Sequence, residues 1–80
     1  MVKIRTIGAF RVFFYSNEHE PEHVHVARDN GEVKIELFTA NGKPKLVEAV
    51  GMKRSDIRRA MKIVAENRDE FFEAWRAYFG

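Results

Sequence analysis

The hydrophobic period of this 80-residue chain changes once, near Gly51. Before it, apolar residues alternate with polar ones, as a half-buried strand requires. After it, they recur every three to four residues, as an amphipathic helix requires. The chain is thus expected to fold as strands over about residues 3–50 and helices over about residues 55–79. No linker, internal repeat or low-complexity segment divides it, so residues 1–80 read as one domain. A domain this short buries only about 60–65% of its unfolded surface.

Residues 10–15, Phe-Arg-Val-Phe-Phe-Tyr, are strong strand formers. Alternation places Phe10, Val12 and Phe14 on one face and Arg11, Phe13 and Tyr15 on the other. Residues 3–7 form either a separate short strand or the start of this one, with Gly8 as a bulge. Residues 16–22 make a polar loop in which Pro21 holds Glu20 extended.

Residues 23–28 and 32–38 flank Asp29-Asn30-Gly31, and Asn-Gly favours a two-residue hairpin turn. With Asn30-Gly31 as that turn, Asp29 pairs with Glu32, Val26 faces Ile35, and Val24 faces Leu37. The four apolar residues then share one face. On the other face Ala27 meets Lys34, His25 meets Glu36, and His23 meets Phe38. A second Asn-Gly, Asn41-Gly42, turns the chain into a strand near residues 46–50, whose register stays open.

Ser55 is the expected cap of a helix carrying Ile57, Ala60, Met61 and Val64 on one stripe. Asn67 is expected to cap a second helix, with Asp69 and Glu70 in its first turn. Phe71, Trp75, Tyr78 and Phe79 continue the apolar face, and Trp75 should be largely buried. A single helix over 55–79 would bring Arg68 into the apolar stripe, so two helices are expected. Packing them on the apolar sheet face gives a two-layer α+β domain: a small antiparallel meander covered on one face by two C-terminal helices. The other sheet face would carry Phe13, Tyr15, His23, His25, Glu36 and Phe38. It reads as an open surface, suited to a partner or to a second copy of the chain.

All three histidines of the chain fall within Glu18-His19-Glu20-Pro21-Glu22-His23-Val24-His25-Val26. His23 and His25, at i and i+2, point to one side of a strand, a workable spacing for two imidazole ligands of a divalent transition metal. His19 is the candidate third ligand. Glu36 is a fourth, or the carboxylate that orients a histidine. The same His23, His25 and Glu36 are candidate acid–base groups for RNA cleavage. A structural or partner-contact role ranks ahead of metal binding, and metal binding ahead of catalysis. With no cysteine, a thiolate zinc site is excluded. Arg54, Arg58 and Lys62, at i, i+4 and i+8, form a basic stripe that could meet phosphates or an acidic protein. Lys53 and Arg59 stand beside them. The alternative is an ordinary solvated helix face. Net charge is only +2, so any nucleic-acid contact must rest on such local clustering. No apolar run approaches a membrane span. The opening Met1-Val2-Lys3-Ile4-Arg5 lacks a signal core, so a cytoplasmic location is expected.

These residues resemble the small bacterial family catalogued as domain of unknown function 4160. The resemblance covers nearly the whole chain. It comprises the aromatic strand at 10–15, the histidine block at 18–26, and the tail with Asn67-Arg68-Asp69-Glu70 and Trp75. The family's block has a Pro-Pro-His-aromatic-or-aliphatic-His pattern. Here Pro21 is kept, Glu22 replaces the second proline, and His23 and His25 match directly. The replacement loosens the loop and adds a carboxylate. The resemblance implies small two-gene systems of toxin–antitoxin type, and no chemistry.

The expectation is therefore a small binding protein with a protein partner, a second copy or nucleic acid, touched through Tyr15, His23, His25, Phe38, Arg54, Arg58 and Lys62. A small ribonuclease and a histidine-rich metal-binding module are the alternatives.

Overall fold

The computed structural model describes all 80 residues. Five strands, β1 (Val2–Ile7), β2 (Phe10–Phe14), β3 (His23–Arg28), β4 (Gly31–Glu36) and β5 (Lys45–Val50), precede two helices, α1 (Arg54–Glu66) and α2 (Arg68–Phe79). The strands form one antiparallel sheet in chain order. Both helices lie on one face of it, α1 against β4 and β5, α2 against β3. This is the α+β two-layer arrangement that the change of period implies.

The core is built from the residues that alternation assigns to one sheet face. Phe10, Val12, Val24, Val26, Val33, Ile35 and Leu37 meet Ala60, Val64 and Phe71 of the helices. Phe14 belongs to the same layer, with its ring against Trp75, Tyr78 and Phe79. Trp75 is buried, as expected, but Tyr78 is half exposed.

The central hairpin differs from its expected register by two residues. Val24 pairs with Ile35, Val26 with Val33, His23 with Glu36 and His25 with Lys34. The two loop residues are Asp29 and Asn30, with Asp29 in the left-handed region at φ 53°. Gly31 is instead the first residue of β4. Its lack of a side chain serves close approach: a Cβ there would lie 2.6 Å from the Gly51 carbonyl oxygen and 2.9 Å from Met52. A two-residue slip leaves every side chain on its original face. The apolar match therefore holds in both registers and could not choose between them.

The N-terminal segment resolves into a separate strand. Gly8 sits in the β1–β2 turn at φ 58°, and the irregularity lies between Lys3 and Arg5 instead. β5 is an edge strand whose six residues are all exposed. Its ladder shifts between Lys34 and Ile35, which pair with Glu48 and Leu46, so Val47 is the extra residue.

Of the two expected helix caps, one moves and the other keeps its position without its bond. α1 begins at Arg54, so Ser55 lies within its first turn. Lys53, in extended conformation and without a side-chain cap bond, precedes the helix, and Gly51 and Met52 just before pack tightly on Gly31. The neighbouring Asp56 is buried and accepts a hydrogen bond from Arg28 at 3.1 Å. Asn67 does mark the joint between the helices, but its amide donates to the Ile63 carbonyl at 2.8 Å. It stands at the N-cap position of α2, as expected, but its side chain bonds back to the end of α1, and no side chain caps the start of α2.

Candidate functional site

The sheet face opposite the helices is open only in part: Arg11, Tyr15 and Glu48 are exposed and Lys34 and Glu36 half-buried. Phe13, His23, His25 and Ala27 are all buried there, His23 at 2% and His25 at 6% exposure. The cover over the two histidines is the loop of residues 16–22, which folds back at once after β2. The Glu18 amide bonds to the Tyr15 carbonyl at 3.3 Å, a turn closed between residues three apart. Glu18 Oε1 then accepts the Tyr15 amide at 2.9 Å. This leaves Oε2 aimed inward, 2.8 Å from His23 Nε2 and 2.7 Å from His25 Nε2. The Leu37 amide donates to the Glu22 carbonyl at 3.0 Å and ties the far end of the loop to the sheet.

Each imidazole also has an oxygen beside its other nitrogen. His23 Nδ1 is 2.9 Å from the Pro21 carbonyl oxygen, and His25 Nδ1 is 3.1 Å from Glu32 Oε2. The surroundings fix the rings further. Phe13 stacks on His25 at 5.5 Å between centroids, Tyr15 meets it edge-on at 4.8 Å, and Trp75 lies 4.9 Å from the His23 ring. Trp75 therefore touches both Phe14 of the core layer and His23 of the loop-covered layer, at the end of the sheet where β2 stops and β3 starts.

Close contact and hydrogen bonding are not the same here. Glu18 Oε2 lies out of line for His23 Nε2, and Glu32 Oε2 out of line for His25 Nδ1. Both nitrogens are buried without an aligned partner. A buried polar atom left unmatched is costly.

The Glu18 carboxyl is held below its ordinary value of 4.5. Burial is the largest influence and pushes it upward. The Tyr15 amide, the hydrogen bond to His25, the close approach of His23 and the charge of His25 together outweigh it. The Tyr15 hydroxyl, which donates to Glu32 at 3.2 Å, is shifted upward by burial, then by Glu32 and Glu18.

Only part of the expected site comes together. His23 and His25 do converge, but on Glu18, which the sequence reading had passed over. His19 is exposed on the loop and takes no part. Glu36 stands opposite His23 in the ladder and makes no ion pair or hydrogen bond, because the two-residue slip moved it away from His25. Glu32 takes its place beside His25. Phe38 lies beyond the end of β4, where alternation no longer governs it, and packs edge-on against Phe72 of α2 at 5.0 Å. It is not a neighbour of Tyr15 on an open face. The one sequence trace of Glu18 was its place in the short polar turn directly after β2, which does not by itself say that the turn folds back over the strands.

The basic stripe is where helical spacing puts it. Arg54, Arg58 and Lys62 are exposed on α1, with Lys53 and Arg59 beside them, and none of the five forms an ion pair or a side-chain hydrogen bond. The one acid in the first turn of α1, Asp56, is turned inward to Arg28. No helix is long and apolar enough to cross a membrane.

The chain belongs to the family described as Domain of unknown function (DUF4160), whose sequence model matches residues 9–76. No curated protein and no solved structure matches it.

Proposed function

We propose that this protein is a non-catalytic binding module that engages an anionic macromolecule through the basic face of α1. The observation that carries the reading is the set of five exposed cations, Lys53, Arg54, Arg58, Arg59 and Lys62, with no carboxylate paired to any of them. A purely solvated face usually mixes the two signs. Residues Lys53 to Lys62 present one sign at the surface, with Glu66 one turn further along the stripe, and such a local excess concentrates potential and steers an oppositely charged partner. The partner is a nucleic acid or an acidic protein segment. The toxin–antitoxin-like pairing implied by the family resemblance belongs to the same reading.

Burial supports binding over RNA cleavage. A general base must reach the proton it abstracts. His23 and His25 are enclosed by Glu18, Phe13 and Trp75, and each faces oxygen on both sides. Neither presents a nitrogen at the surface.

Titrating the protein with a short DNA duplex, an RNA of equal length and an acidic polypeptide, each at several salt concentrations, tests the reading. At least one should bind with an affinity that falls as salt rises. Combined Arg54→Ala, Arg58→Ala and Lys62→Ala substitutions should weaken that binding. For duplex DNA, losing three phosphate contacts lowers the log–log salt slope by roughly 2.7. Unchanged binding in the triple variant would remove α1 from the contact surface.

A further inference from the structure

We propose that Glu18, His23 and His25 bind one divalent transition-metal ion of the zinc class, and that this ion fastens the loop of residues 16–22 to the sheet. The inference is independent of the α1 surface.

The argument starts from protons. A carbonyl oxygen only accepts, so His23 Nδ1, 2.9 Å from the Pro21 oxygen, carries the hydrogen. In the neutral ring Nε2 is then an acceptor, and it faces another acceptor, Glu18 Oε2, at 2.8 Å. His25 has the same difficulty reversed. If its Nε2 donates to Glu18 at 2.7 Å, its Nδ1 becomes an acceptor facing the Glu32 carboxylate at 3.1 Å. Each neutral ring thus sets one lone pair against a carboxylate, at the two imidazole nitrogens left without an aligned partner, and a second proton on both rings would instead bury two cations against one shared carboxylate.

One cation at the shared point removes both conflicts. His25 moves its hydrogen from Nε2 to Nδ1, where the partly exposed Glu32 side chain, 3.1 Å away, turns into line to accept it, and the count of protons is unchanged. Both Nε2 lone pairs and Glu18 Oε2 then point at the ion. Each Nδ1–H is held from behind, one by the Pro21 carbonyl and one by Glu32. This is the outer arrangement that metal-bound histidines characteristically have.

The dimensions suit an ion after a small movement. The three donor atoms lie within 4.8 Å of one another. Ligands at about 2.1 Å from a tetrahedral ion stand about 3.4 Å apart, so the 2.7 and 2.8 Å approaches to Glu18 must open by about 0.6–0.7 Å. Glu18 is the member free to give, because it rides on the loop while both histidines are fixed in β3. Two imidazoles and a carboxylate suit zinc, cobalt, iron or nickel better than calcium or magnesium.

The test uses the tag-free full chain, freed of metal by a chelator and titrated with Co²⁺ and then with Zn²⁺. Trp75 is the only tryptophan and its ring is 4.9 Å from that of His23, so its fluorescence reports on the site. The expected result is saturable quenching by Co²⁺ at one ion per chain, reversed by Zn²⁺. Affinity should fall at least about tenfold in Glu18→Gln, an isosteric change, and in His23→Gln, while His19→Gln leaves it unchanged. Equilibrium dialysis of the unsubstituted chain keeps the test decisive should His23→Gln fail to fold. The absence of one-to-one binding there would overturn the proposal. So would binding that survives Glu18→Gln and disappears in His19→Gln, which would put the ion on the loop surface.

Discussion

The two faces of the sheet are buried by different means. The helix-side face is closed by apolar matching: Val12, Val24, Val26, Val33 and Ile35 against Ala60, Val64 and Phe71. The opposite face is closed only around His23 and His25, by the loop of residues 16–22, through one carboxylate against two imidazoles and an aromatic surround. β3 is buried on both faces, whereas β5, at the edge, is exposed along its whole length. Alternation identifies what must be covered by apolar surface. It does not say that the other face stays open, because a polar face can be closed by groups of complementary charge and hydrogen bonding.

The comparison can be broken at the point where the two layers meet. Trp75 touches Phe14 on one side and His23 on the other. Trp75→Ala should cost about 3–5 kcal/mol in chemical denaturation, a large share of the about 5–15 kcal/mol typical of a folded domain. A loss below about 1 kcal/mol, the range of surface positions, would mean that the ring joins neither layer. The helix-side layer alone is tested by Ile35→Ala, expected to cost about 2–4 kcal/mol with little dependence on pH.

The loop-side layer should respond less, and should respond to acid. Glu18→Gln keeps the shape and removes the charge, with an expected cost of about 1–3 kcal/mol at neutral pH. The Glu18 carboxyl is lowered in the folded state from 4.5. Its contribution is thus fully present above the unfolded value and is lost as pH falls through the lower, folded value. The difference in stability between the native chain and Glu18→Gln should shrink below about pH 4.5. A difference that stays constant down to pH 2 would show that charge at Glu18 does not hold the loop.

Much of the architecture was legible in the residues, for physical reasons. Val24, Val26, Ile35 and Leu37 alternate, and alternation is a direct consequence of strand geometry. The joint at Asn67 followed from keeping Arg68 out of the apolar stripe. Arg68 is only half buried, with its guanidinium over the Phe38 ring at 4.8 Å and donating to the Gly42 carbonyl. The hairpin register was not legible, because a slip of two conserves the faces and Asn-Gly resembles a turn wherever it occurs. Gly31 was placed by the approach of Gly51 and Met52, twenty residues away in sequence. The site was half legible. The spacing of His23 and His25 declared a shared side. Glu18 reached them only through the fold of its loop, a property of tertiary structure rather than of spacing.

The central claim is that Glu18 and its loop seal His23 and His25 beneath the surface and leave His19 outside. Timed reaction with diethylpyrocarbonate, in the presence of a chelator and read residue by residue by mass spectrometry, tests it directly. His19 should react at the rate of a free imidazole, with His23 and His25 slower by at least about tenfold because reaction waits on local opening. Three equal rates would contradict the account.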